Sequence, residues 1–279
     1  MQVAGETPAT DNDFCPMPLF IIGYCTINNY FYLRAMIEKF GIDGIYIVHA
    51  QKGYEYHEER INKLFTTLGL HFEFVTDGDP ANFNNGLLKK YFTDDIRQVL
   101  SDGVLSCTLN HILSYERMVK NNNRFAIVFE NDPFFLGDFL QQIKKIAAEA
   151  TTLQPGFLIS LENTTLKFPA YKQLRKGQLL YPSTYGRCAG AYMLDLQAAK
   201  DILKELETNK CRQVIDWWHN TLIDRKVVSM YWADPPITEQ GSHNGMLSAG
   251  ISTKKKSLQR RIAWLSQKYY KTYITRWFK

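Results

Sequence analysis

Five consecutive apolar residues, Phe125-Ala126-Ile127-Val128-Phe129, run straight into Glu130-Asn131-Asp132-Pro133. A strand with one wet face alternates apolar and polar side chains. An unbroken run instead marks a strand covered on both faces, as at the centre of a parallel sheet between helices. Parallel neighbours need crossover connections. Gly44-Ile45-Tyr46-Ile47-Val48-His49 is a second apolar run. In the segment His57 to Leu68 that follows it, Ile61, Leu64, Phe65 and Leu68 recur at helical spacing, and Gly69 closes the segment. His71-Phe72-Glu73-Phe74-Val75 then alternates like a strand. Strand, helix and strand in about 30 residues form a βαβ unit, so the expected fold is α/β with a mainly parallel central sheet.

The same alternation extends in both directions. Leu19-Phe20-Ile21-Ile22 reads as a short buried strand and Tyr30–Phe40 as a helix stopped by Gly41. Residues 77–105 hold Gly78, Pro80 and Gly86 and read as a long loop with one short helix near 94–100. A helix over 105–120 buries Leu109, Ile112, Leu113 and Met118 and ends at Asn121-Asn122-Asn123. Helix 138–150, strand 157–161, strand 191–194 and helix 195–206 complete the pattern. With 279 residues and 45% hydrophobic content the chain can bury a sizeable core, and the expected organisation is a tail over 1–18, one domain over 19–252 and an appended segment over 253–279.

That appended segment distorts the charge balance. The chain carries +5, but residues 253–279 hold nine Lys or Arg and no acid, which leaves −4 on the rest. An acidic body lacks the positive face that phosphate tracking requires, so nucleic acid is not an expected partner. From Leu258 onward, Ile262, Leu265, Tyr269, Tyr273 and Trp277 fall along one helical stripe among basic residues. Such a helix reads either as an interfacial element attracted to an anionic membrane or as a C-terminal helix packed on the domain, and the lack of any acid favours the membrane. Five cysteines without CxxC spacing make neither a disulfide framework nor a zinc knuckle, which fits a reducing compartment. Met1 to Asp13 contains no apolar run of signal length, and no stretch is long enough to span a bilayer. The expected location is cytoplasmic, peripheral on the inner face of the cytoplasmic membrane.

Ligands of open α/β sheets bind beyond the carboxyl ends of the strands, where Glu130-Asn131-Asp132 falls. Two acids at i and i+2 there can hold a hard divalent cation that bridges the phosphates of a nucleotide diphosphate; as a bare pattern they also occur in solvated turns.

Leu105-Ser106-Cys107-Thr108-Leu109-Asn110-His111-Ile112 and the run Phe125 to Phe135 resemble glycosyltransferase family 25, the lipopolysaccharide galactosyltransferase family, whose Gly-Cys-x-x-Ser-His helix precedes an apolar strand ending in Glu-Asp-Asp. Tyr185-Gly186 through Ala189-Gly190-Ala191-Tyr192, Val214-Ile215-Asp216 and Pro235-Pro236-Ile237-Thr238-Glu239-Gln240 resemble further segments of that family in order, so the likeness covers about residues 45–252. Asn131 replaces the central acid and Asn110-His111 replaces Ser-His.

The resemblance implies a GT-A-like, Rossmann-type nucleotide-sugar-binding domain and a UDP-sugar donor, UDP-galactose or UDP-glucose. It also implies Mn²⁺ or Mg²⁺ and transfer with inversion to a glycan or glycolipid acceptor. Glu130, Asn131 and Asp132 then face the cofactor and Glu130 and Asp132 the metal. His243, in Glu239-Gln240-Gly241-Ser242-His243-Asn244, serves as a further metal ligand or phosphate donor, or is a solvated loop histidine. An inverting transfer needs a general base. Asp216, between Val214-Ile215 and Trp217-Trp218, is the first candidate for that base, against an N-cap role for a helix over 217–224; Glu162, after the apolar run 156–161, is the second. Trp217, Trp218 and Tyr192 are the candidate acceptor contacts, and His111 reads as a core or supporting histidine. Arg60 reads as a nucleotide contact or as the partner of Glu58 and Glu59. The rival reading is a catalytically silent sugar-nucleotide or glycan-binding protein of the same fold.

Overall fold

The computed structural model describes residues 39–164, 169–186, 188–247 and 258–277. The strand expected at 19–22 and all but the last residues of the helix expected at 30–40 lie outside them. In chain order, β1 (Gly44–Val48) leads to α1 (Glu55–Thr67) and β2 (Glu73–Val75). The region expected as a long loop holds two short helices, α2 (Asn85–Tyr91) and α3 (Ile96–Val99). The first is capped by Asn84, whose side chain accepts the Leu87 N–H. The long helix α4 (Asp102–Lys120) precedes β3 (Phe125–Glu130) and β4 (Pro133–Phe135). Then come α5 (Phe139–Ala150), β5 (Phe157–Ser160), β6 (Leu180–Ser183), β7 (Ala191–Asp195), α6 (Leu196–Thr208), α7 (Ile215–Asp224), β8 (Ser229–Ala233), β9 (Thr238–Gln240), the single turn α8 (Gly241–Asn244) and α9 (Leu258–Tyr269), which runs on as a π-helical stretch, Tyr270–Thr275.

Seven strands form one sheet in the order β2-β1-β3-β7-β5-β8-β6, and β4 pairs with β9 in a separate two-stranded ribbon. Five of the seven strands run in one direction, as expected of a mainly parallel sheet, and two reversed strands make it mixed. β1 runs parallel to β2 and β3, and β5 to β8, but β7 is inserted antiparallel between β3 and β5, and β6 is antiparallel to β8. A strand buried on both faces has the same apolar signature whichever way it points, so the sequence cannot reveal this reversal.

The pleat of β3 explains the unbroken apolar run. Phe125, Ile127 and Phe129 enter a core with Ile61 and Phe65 of α1 and Ile143 and Ile146 of α5. Ala126 and Val128 enter the opposite core, with Leu105, Leu109 and Ile112 of α4 and Ile202 of α6. Glu130 continues the second row, so its side chain emerges on the α4 side of the sheet.

The C-terminal helix settles onto the body. Lys268 Nζ lies 2.5 Å from Glu239 Oε1, Arg276 pairs with Asp234, Lys271 is buried, and Trp264 packs 6.2 Å from the His243 ring. Basic side chains thus turn inward to the acidic body, while Ile262, Leu265, Tyr269, Tyr273 and Trp277 stay exposed. Among the described residues, no helix is long and apolar enough to cross a membrane.

Candidate active site

A cavity of about 630 Å³ opens beyond the carboxyl ends of β1 and β3, within the size range of small-molecule sites. Its wall includes Glu130, Asn131 and Asp132 from the end of β3, Asp216 from α7, and Gln240, Ser242 and His243 from the β9–α8 turn. The ribbon brings the last group there: Pro133 stands opposite Gln240, so the chain leaving β3 is held against the chain entering α8.

Glu130 Oε2 accepts a 2.8 Å hydrogen bond from Gln240 Nε2, and Oε1 lies 3.7 Å from His111 Nε2 and 3.9 Å from Cys107 Sγ. Gln240 fits only because Gly190 has no side chain, since a Cβ there would stand 2.3 Å from the Gln240 amide carbon. Asp132 is 5% exposed; its Oδ2 accepts the Ser242 N–H at 2.8 Å, while Oδ1 is buried without a hydrogen-bond partner. Asn131, between the two acids, turns its amide to the His49 ring, 3.3 Å from Nδ1.

Burial pushes the Glu130 carboxyl up to about 7, and the negative charge of Asp132 adds to the effect. Burial raises Asp216 to about 6, with Glu130 contributing, although the Ala189 N–H opposes the shift. Glu162 is fully buried and raised to about 7 by burial. Its Oε2 accepts the Gly190 N–H at 3.1 Å and its Oε1 stands 3.8 Å from His243 Nδ1. The Glu162 carboxyl beside it in turn raises His243. Carboxylates outnumber compensating cations here, which is the electrostatic setting of a cation site.

The structure gathers Glu130, Asn131, Asp132, Asp216 and His243 round one cavity and corrects the other assignments. Glu162 does not reach the cavity wall; it lies behind His243, bridged to Thr238, where it can orient the imidazole but not meet an acceptor. Tyr192 is 2% exposed with its hydroxyl bonded to Tyr115 and 2.8 Å from His111 Nδ1, so it belongs to the core. Trp218 is 3% exposed and equally internal; Trp217 is 67% exposed, one position beyond Asp216, and does not line the cavity. Arg60 donates to the Pro133 carbonyl at 2.8 Å and stacks on Phe134, bracing the chain just past Asp132; it does not line the cavity. His111 is buried as expected, but its Nε2 has no hydrogen-bond partner.

Glu130, Asp132 and His243 share the cavity without closing into one ligand set. Among the described residues, the trios whose ligand atoms lie within 4.8 Å of one another are Cys107, His111 and Glu130, and Glu162, Cys188 and His243. Sequence reasoning missed Cys107, His49 and Gln240 as wall residues. His49 follows β1 directly, so the strand-end rule applied to β1 would have found it.

Residues 46–216, more than half of the chain, match the family described as glycosyltransferase family 25 (LPS biosynthesis protein). A glycosyltransferase 25 family member of Aedes aegypti is 23% identical over 229 residues, 74% of this chain and 37% of that protein. One of Anopheles gambiae is 25% identical over 243 residues, 80% of this chain and 40% of that protein. The chain therefore spans well under half the length of either relative.

Proposed function

The chain belongs to glycosyltransferase family 25, and from that premise we propose that it transfers a hexose, galactose or glucose, from a UDP-sugar to a surface-glycan acceptor such as lipopolysaccharide, with inversion. The observation that carries the reading is the Asp132 carboxylate, buried on the cavity wall beside Glu130 with one oxygen unpartnered. A buried carboxylate oxygen without a donor is costly unless a cation or ligand completes it. Mn²⁺ or Mg²⁺ would draw Glu130 and Asp132, with His243 from across the cavity, into the single ligand set that they do not form by themselves, and would supply charge neutralisation for the diphosphate leaving group.

The protein's own groups supply the rest. Asp216 takes the proton from the acceptor hydroxyl, a role suited to a carboxyl that burial lifts to about 6 yet leaves deprotonated at neutral pH. Glu162, 3.8 Å from His243 Nδ1, would need only a small approach to hydrogen-bond that nitrogen and leave the other for the cavity, as carboxylate–histidine pairs do beside metals. Asn110, buried on α4, accepts the Gly78 N–H at 2.8 Å and so holds the loop after β2 against the cavity. The exposed stripe of the C-terminal helix, with Arg261 beside it, fits peripheral attachment to an anionic membrane on the cytoplasmic face.

Calorimetry of UDP binding tests the cation assignment. Affinity should depend on Mn²⁺, and Asp132→Ala should lose the Mn²⁺-dependent part while remaining folded by circular dichroism; unchanged affinity in EDTA would remove the metal from the reading.

A further inference from the structure

Behind the carboxylates assigned above, the cavity wall holds a constellation of softer chemistry. Cys107 and His111 stand one turn apart on α4 and share a face. Glu130 reaches them from the end of β3, at 3.9 Å from Sγ and 3.7 Å from Nε2, both measured to Oε1. Ligands about 2.0–2.3 Å from a tetrahedral zinc ion stand about 3.3–3.5 Å from one another, so contraction by a few tenths of an ångström brings Glu130 Oε1 to ligand spacing from both partners, and all three ligand atoms already lie within 4.8 Å of one another.

Two of the three ligands are oriented from behind. His111 is fully buried, and its Nδ1 meets the Tyr192 hydroxyl at 2.8 Å. Tyr192 meets Tyr115 at 2.7 Å, and Tyr115 meets His219 Nε2 at 2.7 Å. This chain fixes the ring plane and leaves Nε2, which has no hydrogen-bond partner, aimed at Glu130. Gln240 holds the other Glu130 oxygen. A buried imidazole gripped at one nitrogen and unpartnered at the other is the arrangement of a metal-ligating histidine with its outer partner. Cys107 and Glu130 reach the cavity surface, which leaves a fourth position open to it.

We propose that Cys107, His111 and Glu130 form a site for a soft divalent cation, Zn²⁺ in preference to Mn²⁺ or Mg²⁺, in the wall of the cavity. Thiolate and imidazole select that class of ion, whereas carboxylate and phosphate oxygens suit the harder ones. The site stands on the placement of three side chains and not on the donor reading. Glu130 belongs to both assignments, so Zn²⁺ here competes for a carboxylate of the donor side.

The test uses the purified full chain with Co²⁺ as the spectroscopic probe and a chromophoric chelator to measure Zn²⁺ affinity. The wild type should give a thiolate-to-cobalt charge-transfer band that Zn²⁺ abolishes. Cys107→Ser should lack the band, Tyr192→Phe should weaken Zn²⁺ binding about 10- to 100-fold, and Cys188→Ser, altered in the other Cys-His-Glu trio, should keep the band. A wild-type protein with no such band overturns the proposal without recourse to any variant. So does a band that survives Cys107→Ser and vanishes in Cys188→Ser.

Discussion

Base and helix cap make opposite demands on Asp216, and the backbone separates them. Val214 is the N-cap of α7, with ψ 154°, while Asp216 sits in the first turn with its carboxylate on the cavity wall and near the Ala189 N–H. A residue that caps nothing can be changed to its amide at little structural cost. Asp216→Asn should therefore keep the wild-type melting temperature and lose about 10²- to 10⁴-fold in kcat with little change in UDP binding. Because a base works deprotonated, kcat/KM of the wild type should rise with pH through about 6, the value to which burial lifts this carboxyl, and the amide variant should lack that limb. A stable, fully active Asp216→Asn enzyme would transfer the role to another carboxylate.

The C-terminal helix packs on the body with one face and leaves the other exposed, so the proposed membrane contact and the structural role that its sequence left open would use different faces. Arg276, with its side chain 11% exposed, pairs with the 10% exposed Asp234 and lies over the Tyr171 ring. Removing one partner of a buried pair leaves the other charge uncompensated, so Arg276→Ala should cost about 3–5 kcal/mol in urea unfolding. The opposite face predicts the reverse. Ile262→Glu with Leu265→Glu should change stability by less than about 0.5 kcal/mol, since both residues are more than half exposed, yet abolish sedimentation with phosphatidylserine vesicles. Undiminished sedimentation would leave the helix a purely structural strap.

The same contrast marks what was legible in the sequence. The sequence pattern located α1, α4, α5, α6, β1 and β3 to within three residues at each end, and the strand-end rule put Glu130 and Asp132 at the end of β3, on what is the cavity wall. Periodicity cannot say which of two charged surfaces a basic helix will meet, nor which way a doubly buried strand runs. The ribbon of β4 and β9 spans only three residues on each side and pairs positions over a hundred residues apart, so no local pattern announces that Gln240 will hold Glu130.

At the scale of the whole molecule, the cavity stores protonation energy. Glu130 and Glu162 are raised to about 7 and Asp216 to about 6 in the folded state, against ordinary carboxyl values near 4 when unfolded. The native protein therefore holds protons that the unfolded chain has released, so these groups make stability fall as pH rises through the folded values. The raised His243 acts in the same direction. His111, lowered by burial to about 4, His219, lowered to about 3, and His49, also lowered by burial, act oppositely, but only up to about 6.5, where an unfolded histidine loses its proton. Below about 6.5 the two sets offset each other; above it only the destabilising set remains. The melting temperature of the metal-free protein should thus change little between about pH 5 and 6 and fall between about 6.5 and 7.5. Glu162→Gln removes one buried carboxyl from that set and should flatten the fall. If Mn²⁺ binds as proposed it takes the deprotonated carboxylates, so the melting-temperature increase that it produces should grow with pH over the same interval. A fall of equal steepness in Glu162→Gln, in scans of both proteins without metal, would mean that the buried Glu162 carboxyl has no part in the pH dependence of folding.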